Sequence, residues 1–98
     1  MDMSKLPKVK TNDIKKGEWV VLCHGWAAQI TDNKRGNIRQ ATVYGNFTET
    51  GSVYSHDILA VLDPETVDPE LGVGVPIKVV EHTDAQNKLR IQVRALGF

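Results

Sequence analysis

The chain has 98 residues, 41% of them hydrophobic and 24% charged, which suits one folding domain with a compact core and no second one. Its formal net charge is zero, which argues against a protein that coats nucleic acid by charge alone. No apolar run is long enough to cross a membrane, the N-terminus lacks the apolar core of a signal peptide, and the single Cys23 can form no internal disulfide, so the expected setting is soluble, reducing and cytoplasmic, without a membrane partner.

The neutral total hides a sorted distribution: residues 1–40 carry +4, residues 41–87 carry −7 and residues 88–98 carry +3. Residues 1–13 hold dispersed lysines and no apolar period, and are expected to be a flexible lead-in, with a phosphate-touching basic arm as the alternative. Ile14 to Glu18 reads as a turn feeding a strand. The run Trp19-Val20-Val21-Leu22-Cys23-His24 is β-branched and aromatic, with Val20 and Leu22 on one face and Trp19, Val21 and Cys23 on the other. Cys23 reads as a small buried hydrophobe rather than a nucleophile. Gly25 breaks this strand, and Trp26 to Thr31 folds back antiparallel.

Asp32-Asn33-Lys34-Arg35-Gly36-Asn37 is a turn by composition, leading to a third strand, Ile38 to Tyr44. After Gly45-Asn46 comes a short polar piece, Phe47 to Thr50, then a strand from Gly51 that ends in a bend. A turn of 3₁₀ helix is expected at His56-Asp57-Ile58, and Leu59 to Leu62 reads as a buried closing strand, which gives five strands between Glu18 and Leu62.

Residues 63–76 contain the triplet Asp-Pro-Glu twice and two glycines, and read as an acidic, proline-stiffened loop. Pro76 to Val80 has room for one more short strand. The last segment supports two readings. Leu89, Ile91 and Val93 alternate with polar residues as in a strand, whereas Thr83 to Gln86 fits a helix capping box and Ala85, Leu89, Val93 and Leu96 share a helical stripe. The helix is the preferred reading. The fold expected from all this is mostly β: a small five-stranded SH3-like barrel over residues 14–62, the acidic loop, and residues 77–98 as a short strand plus a C-terminal α-helix packed on the barrel or extending from it.

Chemistry is sparse. His56-Asp57 is the most enzyme-like pair, but adjacent strand residues point to opposite faces and no nucleophile is placed beside them, so a structural role is preferred. His24, His56 and His82 have no zinc-ligand spacing, and Lys34-Arg35-Gly36 is no phosphate loop, so no metal, cofactor or catalytic residue is expected. Nucleic acid keeps a case through Lys34, Arg35, Asn37 and Arg39 on one hairpin, Lys15 and Lys16 near its base, and Trp26 as a stacking residue, against the plain alternative of a solvated turn. Leu89, Val93 and Leu96 are the expected partner-binding stripe, with self-association as one outcome.

Gly17-Glu18, Val20, Leu22, Gly25, Ala28 and Ile30 resemble the KOW motif of SH3-like barrels in ribosomal proteins and transcription elongation factors. The chain departs from that motif by an alanine at 28 and by a late Gly36, and the match spans about a quarter of its length. The stretch from Gly25 through Asn37 to Tyr54–Ile58 also resembles small uncharacterised bacteriophage proteins. These resemblances imply a small barrel, a phage origin and action in the host cytoplasm, with RNA, DNA or protein as partner. The functional expectation is a non-enzymatic binding module that contacts nucleic acid, or a host or phage protein that handles it, through the basic hairpin. The alternative is a protein-interaction or assembly module using the acidic loop and C-terminal helix.

Overall fold

The structure, a computed structural model, describes residues 5–23, 25–32, 38–44, 48–85, 87 and 88, with Ile38 and Arg39 described by backbone alone. The β-branched and alanine-rich runs form strands where the alternation is clearest: β1 (Lys8–Lys10), β2 (Trp19–Leu22), β3 (Ala27–Asp32), β4 (Ile38–Tyr44), β5 (Thr48–Tyr54), β6 (Ile58–Leu62) and β7 (Pro76–Glu81). They make one seven-stranded sheet in the order β1-β7-β6-β2-β3-β4-β5. β2 to β5 is an antiparallel meander, after which one 3₁₀ turn at Ser55–Asp57 lets β6 return to pair with the other side of β2. β7 then adds antiparallel to β6, and β1 adds parallel to β7, with Lys8, Val9 and Lys10 opposite Val79, Val80 and Glu81.

This corrects the expected five-stranded SH3-like barrel with a C-terminal helix. β6 does not close the sheet, because β7 and β1 extend it beyond that strand, and the result is a mixed seven-stranded sheet. Strand β1 lies inside the segment read as a flexible lead-in. Its one apolar residue, Val9, is too little to show a period, and its partner strand lies about seventy positions along the chain. Among the described residues no helix reaches even two turns: the capping-box segment is helical at Asp84, Ala85, Asn87 and Lys88, with Asn87 N–H donating to the Thr83 carbonyl at 3.0 Å. Leu89, Val93 and Leu96, the expected partner-binding stripe, lie outside the described residues. What stands is a small β-rich domain, with a Cα radius of gyration of 12.5 Å, close to the roughly 13 Å of a compact chain this long.

One face of the sheet carries the main core: Val20, Leu22, Ala28, Ile30, Ala41, Val53, Ile58, Val61 and Val80, joined by Ile14 and flanked by Val9 and Val43. The alternation of β2, half-buried Trp19 and Val21 against buried Val20 and Leu22, assigns the second face. That face carries Trp19 and Tyr44, with ring centroids 5.1 Å apart, and the fully buried Ala27 and Ala60. Register shifts between Val21 and Leu22, Ile30 and Asp32, and Val61 and Leu62 bend the sheet.

The segment between β6 and β7 is built, not slack. Asp63 Oδ1 accepts from the Glu65 amide at 3.0 Å, and Asp68 Oδ1 accepts from the Glu70 amide at 3.0 Å, so the two Asp-Pro-Glu triplets make the same side-chain cap twice. The two arms are tied by Asp63 N–H to the Val75 carbonyl, by Asp68 N–H to the Val73 carbonyl, and by the Val75 amide to Thr66 Oγ1. Its far end touches the sheet where the Ala27 amide donates to the Gly72 carbonyl at 3.0 Å. Gly72 has φ +68°, and a Cβ there runs into the Tyr44 carbonyl oxygen; at Gly74 a Cβ meets Leu62 and Val67 at 3.1 Å.

Candidate functional site

The expected basic surface starts from the turn before β2. Glu18 shapes it: its carboxylate accepts from the Lys15 amide at 2.7 Å while its own amide donates to the Lys15 carbonyl at 3.1 Å. Lys15 and Lys16 are left exposed, and neither ammonium has a partner among the described residues. The Gly17 amide then donates to the Ile30 carbonyl at 2.7 Å, the Ile30 amide donates to the Glu18 carbonyl, and Gln29 Nε2 donates to the Gly17 carbonyl at 3.2 Å. These bonds hold the Lys15–Lys16 turn against the end of β3 that leads into residues 33–37.

Lys34, Arg35 and Asn37 lie outside the described residues; Arg39 stands in β4 opposite Val53, described by its backbone alone. Trp26 does not join this group. It precedes the first residue of β3, whereas the Lys15–Lys16 turn is held at Ile30, a stretch of about 13 Å further along at roughly 3.3 Å per residue. Trp26, the expected stacking residue, therefore stands at the end of β3 away from the lysines, 40% exposed.

His56 and Asp57 form a structural corner. The His56 ring is buried, stacks on Tyr54 with centroids 5.1 Å apart, and has Nε2 3.6 Å from Asp57 Oδ1, beyond hydrogen-bond reach. The Asp57 carbonyl accepts the Cys23 amide at 2.8 Å, and His82 Nε2 donates to the Ile58 carbonyl at 2.7 Å, so the backbone of this corner ties three elements together. Among the described residues no group of three or more His, Cys, Asp or Glu side chains is placed to hold a metal ion, and no helix is long and apolar enough to cross a membrane.

A second surface lies in the segment expected only as an acidic, proline-stiffened loop. Gly72 and Gly74 turn toward the sheet, and between and beyond them Leu71, Val73, Val75 and Ile77 are 72%, 50%, 40% and 38% exposed. The signal was present as Leu-Gly-Val-Gly-Val, an alternation whose small residues face inward. It was hidden because alternation is ordinarily read with the large apolar residues inside.

Comparison with protein-family models, curated protein sequences and solved structures finds no match to the chain.

Proposed function

We propose that the chain is a non-enzymatic binding module that contacts nucleic acid, or a protein that handles it, through the basic end of its sheet. Lys15 and Lys16 supply phosphate contacts there, and Lys34, Arg35, Asn37 and Arg39 extend them. The observation that supports this reading is the 2.7 Å bond from Gly17 to Ile30, which seats one basic stretch beside the strand end from which the other departs. Lysine contacts to phosphate give affinity without reading bases, so the binding is expected to depend on salt more than on sequence. Cytoplasmic action suits a chain whose one cysteine, Cys23, forms no internal disulfide.

Fluorescence anisotropy with labelled single- and double-stranded oligonucleotides at several salt concentrations tests the reading. On duplex, log affinity is expected to fall linearly with log salt, by about 0.9 per phosphate contact, and Lys15→Ala with Lys16→Ala to reduce that slope by about 1–2. No binding near ~50 mM salt, where phosphate contacts are strongest, overturns it.

A further inference from the structure

The segment from Leu71 to Ile77 inverts the usual order of an exposed chain. Its glycines are spent against the sheet, and its aliphatic side chains face water at every second position. Val73, Val75 and Ile77 follow at every second position toward and into β7, whereas Leu71 stands on the turn that Gly72 closes. Trp26 stands at the Leu71 end, because the next residue, Ala27, donates its amide to the Gly72 carbonyl. The result is a line of aliphatic side chains whose Leu71 end, beside Trp26, is the end away from the lysine-bearing turn; its Ile77 end enters β7 where Pro76 pairs with Leu62, itself the partner of Trp19.

The excursion that carries most of that line is acidic, and cations begin only at its β7 end, with Lys78. Residues 63–75 contain Asp63, Glu65, Asp68 and Glu70 and no basic residue. Asp63 and Asp68 spend an oxygen on their caps, whereas Glu65 and Glu70 are exposed and their carboxylates have no partner among the described residues. This charge repels phosphate, both of nucleic acid and of anionic membranes, and attracts lysine and arginine. The backbone is already engaged: Val73 pairs with Asp68, the Val75 carbonyl accepts from Asp63 and the Val75 amide donates to Thr66. A partner therefore meets side chains and does not extend a ladder.

We propose that the Leu71–Val73–Val75–Ile77 line is a docking face for an extended segment of another protein in which aliphatic residues alternate with lysine or arginine. The partner's aliphatic side chains interleave with the line, Trp26 closes one end, and the partner's cations meet Glu65 and Glu70. This interface is independent of the basic end of the sheet, and either can fail without the other.

The test titrates the full chain with a labelled peptide of alternating lysine and leucine, seven residues long, and with the same peptide carrying glutamate for lysine. The basic peptide is expected to bind, and the acidic one to bind at least about tenfold more weakly. Leu71→Ser with Val73→Ser is expected to weaken the basic peptide about tenfold. These side chains are 72% and 50% exposed, so the fold is retained, which an unchanged circular dichroism spectrum verifies. Glu65→Gln with Glu70→Gln, which leaves the aliphatic line whole, is expected to weaken binding several-fold at low salt and little at high salt. Absence of binding, equal binding of both peptides, or indifference to the serine pair overturns the proposal. A concentration-dependent dimer that the serine pair dissolves assigns the line to a second copy of the chain and also overturns it.

Discussion

At position 72 the absence of one carbon seats a thirteen-residue excursion on the sheet. Gly72 adopts φ +68°, and any side chain there would collide with the Tyr44 carbonyl oxygen. Gly72→Ala is expected to cost roughly 1–3 kcal/mol from the positive φ alone, with the collision adding to it, read as a lower urea midpoint. An unchanged midpoint would mean that the excursion is not seated on Tyr44. The aspartates at 63 and 68 act at the same scale: Asp63→Ala and Asp68→Ala are each expected to lose about 1 kcal/mol, since each leaves an amide without its cap. The repeated Asp-Pro-Glu was plain in the sequence, where it read only as a stiff loop. Its work as a pair of caps depends on where the neighbouring amides point, and composition carries no such information.

At the scale of elements, the outer strand β1 guards its edge of the sheet. β1 has three residues, two of them exposed lysines, and follows Pro7, a set of features that discourages pairing with another chain. Its contribution is to cover β7, where Val9 packs against the core beside Val80 and the Val79 amide donates to the Pro7 carbonyl at 2.9 Å. Deleting residues 1–10 is expected to lower the urea midpoint and to produce concentration-dependent association through the bared β7 edge, measurable by light scattering. A deletion variant as stable and monomeric as the whole chain would show that β1 contributes nothing. The strands of the meander were legible because each carries its own alternation, as Val20/Leu22 and Ala28/Ile30 do. β1 was not, because a strand of Lys-Val-Lys takes its identity from its partner.

Across the whole molecule, the charge sorting seen in the sequence corresponds to different places on the surface: Lys15 and Lys16 by the end of β3, Glu65 and Glu70 on the excursion beyond β6. The basic candidate was legible because cations cluster in sequence; the aliphatic line was not, because exposure is a property of the folded chain. Trp26 lies at the other end of β3 from Lys15 and Lys16, since sequence proximity to the basic turn says nothing of the length of strand between them. The pairing of Lys8–Lys10 with Val79–Glu81 carries one more consequence, for assembly of the fold in time. The meander and β6 make local antiparallel contacts that can form as the chain emerges during synthesis, whereas the first strand has no partner until the last one has been made. Closing so long a segment is entropically expensive and places this contact late among folding events. The N-terminal strand thus acts as a latch that engages last, and its loss is expected to hasten unfolding far more than it slows refolding.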